Sequence, residues 1–257
     1  MLETGLSGRV CLVTGAAKGI GRATAEILAG EGAVLALCDN DADGLEALDI
    51  EGLRLPADVS SREQVERVLR EVREQLGRLD VLIHCAGIYR TTPLPEVTDE
   101  EWDSVIDVNL RSSYLLAQGA VELMREHGDG RIVLFGSFAA RTGGLRASVA
   151  YAASKAGVEG VTRHVAQYAG PLGVRVNCVH PGFTVTPMTE TLNEEARAEA
   201  NARTPLRRGS QPAEQAVMAV VLASDIASFV HGVTLEDRKS TRLNSSHSLL
   251  SRMPSSA

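Results

Sequence analysis

Tyr151 and Lys155 stand four residues apart in "YAASK", a spacing that puts both on one face of any helix that carries them. A phenol with a pKa of about 10 needs roughly 4 kcal/mol of help to ionise near pH 7. One ammonium about 4 Å away, at an effective dielectric of about 20, supplies that much. The pair can therefore be a neutral-pH proton donor and acceptor, or simply a solvated tyrosine and lysine. Upstream, "TGAAKGIG" sets Gly15, Gly19 and Gly21 between an apolar run and an alanine-rich stretch. Glycines there let the backbone turn tightly and approach a pyrophosphate at a helix N-terminus, although an ordinary glycine-rich turn reads the same way. Asp39 closes the next apolar run, where a carboxylate can hydrogen-bond both ribose hydroxyls of NAD and repel a 2′-phosphate. Lys18, in the glycine turn, is either a partner for such a phosphate or a solvated side chain. Asp39 keeps its charge in both cases, so NAD is expected over NADP.

Groups so far apart in the chain need a frame. "RVCLVTG" (9–15), "AVLALCD" (33–39), "LDVLIHCAG" (79–87), "GRIVLFGS" (130–137) and "VRVNCVHPG" (174–182) are near-continuous apolar runs, and "GLRLPAD" (52–58) is a shorter one. Such runs fit strands covered on both faces. Between them Val65, Val68, Leu69, Val72 and Leu76 recur at helical spacing, and similar periods run through 100–127 and 149–170. Alternating strand and helix predicts a doubly wound parallel α/β sheet, with ligands beyond the carboxyl ends of the strands. The 257 residues are 44% hydrophobic and 4% aromatic, enough for one large aliphatic core. A net charge of −7 disfavours nucleic acid, which requires a concentrated basic face. Cys11, Cys38, Cys85 and Cys178 lie in or beside apolar runs without CxxC spacing, so buried thiols are expected and no metal site. The start "MLETGLSGRV" lacks a basic, then apolar leader, and nothing approaches the roughly 20 apolar residues of a membrane span. A cytoplasmic, soluble protein is expected.

Together these residues resemble the classical short-chain dehydrogenase/reductase family over about residues 7–235. The resemblance runs through "TGAAKGIG", "DVS" (58–60), "CAG" (85–87), "VNL" (108–110), "GS" (136–137), "YAASK" and "PGFTVT" (181–186), in that order and at family spacing. It implies a single Rossmann-type domain over 1–236 and a homo-oligomer, tetramer or dimer. It also implies an NAD(P)-dependent oxidoreductase interconverting a secondary alcohol and a ketone. The family tetrad falls on Asn109, Ser137, Tyr151 and Lys155. By that resemblance Tyr151 transfers the proton and Ser137 holds the substrate oxygen. Lys155 lowers the tyrosine pKa and binds the nicotinamide ribose, while Asn109 interrupts its helix and fixes a relay water. Cofactor contacts are implied for Gly15, Lys18, Gly19, Ile20, Gly21, Asp39, Asp58, Val59, Ala86 and Gly87. They continue through Asn109, Tyr151, Lys155, Pro181, Gly182, Thr184 and Thr186.

The chain departs from the family pattern in three places. His84-Cys85 replaces the usual Asn-Asn, altering support beneath the cofactor. The interval from Ser137 to Tyr151 is one residue longer than the commonest spacing, which is assigned to the loop "TGGLRAS" (142–148). The third departure is the C-terminus. The family's final strand is expected to be truncated, leaving the strand at 174–180 short of a partner. Residues 237–257, "DRKSTRLNSSHSLLSRMPSSA", match a translated sequencing adapter and are expected to be a disordered artefact without function. Substrate contacts are expected from Tyr89, Leu145, Arg146, His180, Phe183 and Met188, with 187–210 as a lid. 3-Oxoacyl-thioester reductases and sugar or polyol dehydrogenases are the nearest activities. A catalytically silent NAD-binding redox sensor is the alternative.

Overall fold

In the computed structural model residues 3–144, 146–190 and 192–236 are described, so the expectations for Leu145 and for 237–257 fall outside the described residues. The chain opens with β1 (Val10–Thr14), α1 (Gly19–Gly30), β2 (Val34–Asp39), α2 (Ala42–Glu46), β3 (Leu53–Pro56), α3 (Arg62–Leu76) and β4 (Val81–His84). The second half adds α4 (Asp99–Ile106), a π turn (Asp107–Arg111), α5 (Ser112–Met124), β5 (Gly130–Phe135), α6 (Ala139–Thr142) and α7 (Val149–Ala169). It closes with β6 (Val174–His180), α8 (Pro187–Glu190), α9 (Glu194–Arg203), α10 (Pro212–Ala223) and β7 (Thr234–Glu236). The sheet order is β3-β2-β1-β4-β5-β6-β7, with every pairing parallel.

The apolar runs become strands because helices cover both faces. One buried cluster joins Leu12, Leu82, Ile132 and Val176 to Val68 and Leu69 of α3, Leu116 of α5 and Val158 of α7. The other joins Val13, Leu37, Ile83 and Val133 to Leu28 of α1 and Val220 of α10. Each large aliphatic side chain so buried contributes about 1.5–3 kcal/mol. Helix ends follow local chemistry. Ser61 caps α3 by accepting from Gln64 N, and Gly77 ends it in the left-handed region at φ 81°. Ser148 caps α7 by accepting from Tyr151 N, which fixes where the tyrosine begins its helix.

The edge of β6 is better covered than the sequence suggests. β7 pairs with Cys178–His180. Ahead of it Gly232 N donates to Val176 O at 2.8 Å, Val176 N donates to His231 Nδ1 at 3.1 Å, and Asn177 Nδ2 donates to Val230 O at 2.9 Å. The expected bare strand is thus corrected: residues 230–236 satisfy it, partly through side chains that no strand period reveals.

Candidate active site

β1 and β4 are neighbours whose connections leave toward opposite faces, so their carboxyl ends open a crevice. A cleft of about 690 Å³ lies there, walled by Gly15, Lys18, Gly19, Ile20, Gly21, Asp39, Asp58, Val59, Ala86, Gly87 and Thr186. The glycine turn is built for close approach. A Cβ on Gly15 (φ 68°) would come within 2.7 Å of Ala86 N, and one on Gly21 within 2.0 Å of Gly15 O. Lys18 stands at the N-cap of α1 without a side-chain capping bond, which leaves the first helix amides for another acceptor. A glycine cradle facing uncapped amides fits the diphosphate of a dinucleotide.

At the end of β2 Asp39 is 8% exposed; its carboxylate accepts from Ala17 N and Asp41 N, each at 3.0 Å. The acid therefore braces the glycine turn while forming part of the cleft wall. Lys18 Nζ lies 3.2 Å from Asp41 Oδ2, so its charge is already answered. Asp58 receives Ser60 N at 2.9 Å and the Ser60 hydroxyl at 2.7 Å, holding the turn into α3.

The inner end of the cleft reaches the tetrad positions. Tyr89 packs edge-on against Tyr151, with ring centroids 4.9 Å apart. Ser137, on the loop after β5, shares a hydrogen bond with the Tyr151 phenol, and Ser137 Oγ also accepts from Ala139 N at 3.1 Å. Lys155 is buried, and its Nζ donates to Phe135 O at 2.8 Å. Asn109 lies in the π turn, fully buried. Its Oδ1 accepts from Ile88 N at 2.8 Å, and its Nδ2 donates to Ile88 O at 3.0 Å and Ser154 Oγ at 3.1 Å. The structure brings all four together at the carboxyl ends of β4 and β5.

Burial pushes the Tyr151 phenol up to about 12 despite its bond to Ser137, and Lys155 is not among the groups that lower it. The ammonium is 5.9 Å from the tyrosine ring centroid, and burial depresses Lys155 itself to about 8. Desolvation is the largest influence on the phenol.

Other expected positions fall differently. His180 is fully buried, its imidazole packed against Gly136, so it supports the strand end and does not face a substrate. Thr184 is 4% exposed and its hydroxyl lies 3.0 Å from Ser210 Oγ, while Pro181 and Gly182 are half-buried on the loop after β6. Phe183 lies beside Gly209, while Met188 joins the cleft. Arg146 borders a second cavity, of about 820 Å³, with Leu94, Ala147, Val149, Ala152 and Leu192. Its guanidinium donates to Glu199 of α9 at 2.8 Å, and its carbonyl accepts from the Tyr89 hydroxyl at 3.0 Å. Sequence reasoning missed Ser154, Ser112, Ser113 and Thr14, whose hydroxyls hold the site's backbone. The "SS" at 112–113, four residues after Val108 and Asn109, was the available signal.

A family model described as enoyl-(acyl carrier protein) reductase matches residues 15–236. The chain is similar to the 3-oxoacyl-[acyl-carrier-protein] reductase FabG of Thermotoga maritima, 42% identical over 88% of this chain and 95% of the relative. It is similar to FabG of Escherichia coli K12 at 38% identity over 89% and 95%. A solved dehydrogenase/reductase from Sinorhizobium meliloti 1021 superposes with a TM-score of 0.85 at 34% identity, covering 91% of this chain and 95% of that one. The parallel seven-stranded sheet flanked by helices is a Rossmann-like α/β fold. The chain belongs to the short-chain dehydrogenase/reductase family, whose members use a nicotinamide cofactor, and is an oxidoreductase acting on CH–OH donors. The silent-sensor alternative is set aside by this enzymatic kinship. Among the described residues no helix is long and apolar enough to cross a membrane.

Proposed function

We propose that this chain is a cytoplasmic, NAD-linked reductase of 3-oxoacyl thioesters, working through Asn109, Ser137, Tyr151 and Lys155. The observation that carries the reading is the convergence on the cleft of Tyr151, packed against Tyr89 of its wall and bonded to Ser137, with Asn109 and Lys155 beside Gly87. When bound, reduced nicotinamide supplies the hydride. Ser137 orients the ketone oxygen, and Tyr151 gives its proton to that oxygen as the alcohol forms. Lys155, its Nζ anchored on Phe135 O, would hold the nicotinamide ribose, and Asn109 keeps the backbone around Ile88 in register for that transfer. The apolar walls of the second cavity, Leu94, Ala147, Val149 and Leu192 among them, suit an acyl chain, and the FabG relatives are named for such a substrate.

NAD is favoured because Asp39 offers a fixed negative charge where a 2′-phosphate would lie, while Lys18 is occupied by Asp41. Trp102, Tyr114 and Tyr168, partly exposed on α4, α5 and α7, suit packing between copies, so a dimer or tetramer is proposed, to be read by light scattering. The activity is tested by following NADH and NADPH absorbance with acetoacetyl-CoA, a polyol and a sugar. Turnover of the thioester with NADH in preference is expected. Oxidation of sugars alone, or preference for NADPH, would refute the substrate or the cofactor assignment respectively.

A further inference from the structure

His84, at the carboxyl end of β4 where the family resemblance calls for asparagine, is the hub of a buried network. Thr14 Oγ1 lies 2.6 Å from its Nδ1 and Ser112 Oγ 2.9 Å from its Nε2. Thr14, His84 and Ser112 are each at most 2% exposed. Ser112 has one hydroxyl hydrogen, and it goes to Val108 O at 2.5 Å. His84 Nε2 must then carry the hydrogen directed at Ser112. Thr14 Oγ1 accepts from Ala86 N at 3.4 Å, which leaves its own hydrogen for His84 Nδ1. The result is one unbroken chain from Ala86 N–H through Thr14, His84 and Ser112 to Val108 C=O, in which each hydrogen is used once.

The two ends of this chain give it meaning. Ala86 forms part of the cleft floor, while Val108 precedes Asn109 in the π turn. A π turn displaces the regular amide partners of its carbonyls. Here Ser112 N reaches back to Asp107 O, and the hydroxyls of Ser112 and Ser113 take up Val108 O and Asn109 O. We propose that His84 is a positioning residue whose neutral Nε2–H ring ties the floor of the cofactor cleft to the π turn and so fixes the backbone that presents Asn109. This rests on the reading of Asn109 as part of the reactive site. An imidazole offers an acceptor and a donor from opposite sides of one rigid ring, and leucine fills similar space with neither.

The test begins with histidine-selective 15N NMR of the wild-type protein at pH 7. A neutral His84 with hydrogen on Nε2 is expected, and an Nδ1–H tautomer or an imidazolium overturns the proposal. His84→Leu should speed amide exchange across 107–112 by about tenfold or more. It should lower kcat with NADH and acetoacetyl-CoA by about tenfold or more, with the NADH Kd held within about threefold by fluorescence. His84→Gln, which keeps a donor toward Ser112, should recover roughly a third or more of the wild-type kcat. A folded His84→Leu protein with unchanged exchange and kcat sinks the idea. If that variant does not fold, Ser112→Ala cuts the same chain one link later; unchanged exchange in it is equally fatal. Should the wild-type protein reduce no ketone at all, tautomer and exchange still decide, so the two readings fail separately.

Discussion

The two halves of the site are held by different forces. On the cofactor side Gly15, Gly21, Asp39 and Ala86 meet through backbone contacts and buried hydrogen bonds, at the ends of strands packed on both faces. On the substrate side the loop before α7 meets α9 through Arg146 and Glu199, α9 adds Arg203 to the same acid, and Arg208 pairs with Glu214. These ion pairs are largely exposed, where water and salt weaken each one. Sterics that admit no alternative fix the part common to the chemistry. Contacts that open cheaply hold the part that must admit and release a substrate.

The sharpest way to break the rigid half is to remove its proton. Tyr151→Phe deletes the phenol hydroxyl and little cofactor contact, so turnover should fall by about 10³-fold or more while NADH affinity stays within a few-fold. Activity above about a tenth of wild type in stopped-flow assays would contradict the assignment.

Next in size is the cofactor contact. Asp39→Ala combined with Asn40→Arg removes the acid and adds a guanidinium at a neighbouring position on the cleft wall. The lost contact and the relieved repulsion are each worth about 1–3 kcal/mol, so the NADH/NADPH ratio of kcat/KM should fall by about 1.5 to 4 orders of magnitude or reverse. An unchanged ratio would remove Asp39 from cofactor choice.

The rigid half should also be acid-sensitive. Burial lowers His84 to about 3, against an ordinary 6.5 in the unfolded chain, and His180 is lowered by burial too. Between those values the unfolded chain binds the extra proton and the native His84 does not. Stability is therefore complete above about pH 6.5 and falls as pH drops toward 3, by about 1.4 kcal/mol per pH unit for the one proton. Urea titrations from pH 7 to 4 should show this slope diminished in His84→Gln.

The smallest effect is reserved for the half held by exposed ion pairs. Glu199→Gln frees Arg146 and Arg203 at the surface, so the Tm should move by no more than about 2 °C. The apparent KM for a thioester should rise a few-fold with kcat little changed, and a large loss of kcat would show that the latch belongs to the rigid half after all.

Much of the molecule was legible before its coordinates. Six strands, the glycine turn and the shared face of Tyr151 and Lys155 follow from periodicity and short spacing, which neighbouring residues determine among themselves, while the helix interruption at Asn109 came from the family resemblance. The seventh strand was harder, because Thr234–Glu236 is short and part of its support comes from His231 and Asn177 across the fold. His180 looked like a lining residue from its place beside Pro181, yet the fold turns it inward against Gly136.

Residue types and spacing determined the fold class, since alternating apolar runs and helical periods have few physical realisations, whereas the glycine turn and the Tyr151/Lys155 pair each kept a plain structural reading until the family resemblance joined them. Only the tertiary structure decided that Tyr151 packs on Tyr89, that Lys18 pairs with Asp41, and that His84 joins β1 to the π turn. Desolvation and hydrogen-bond partnership are sums over neighbours distant in the chain, and no local pattern carries that sum.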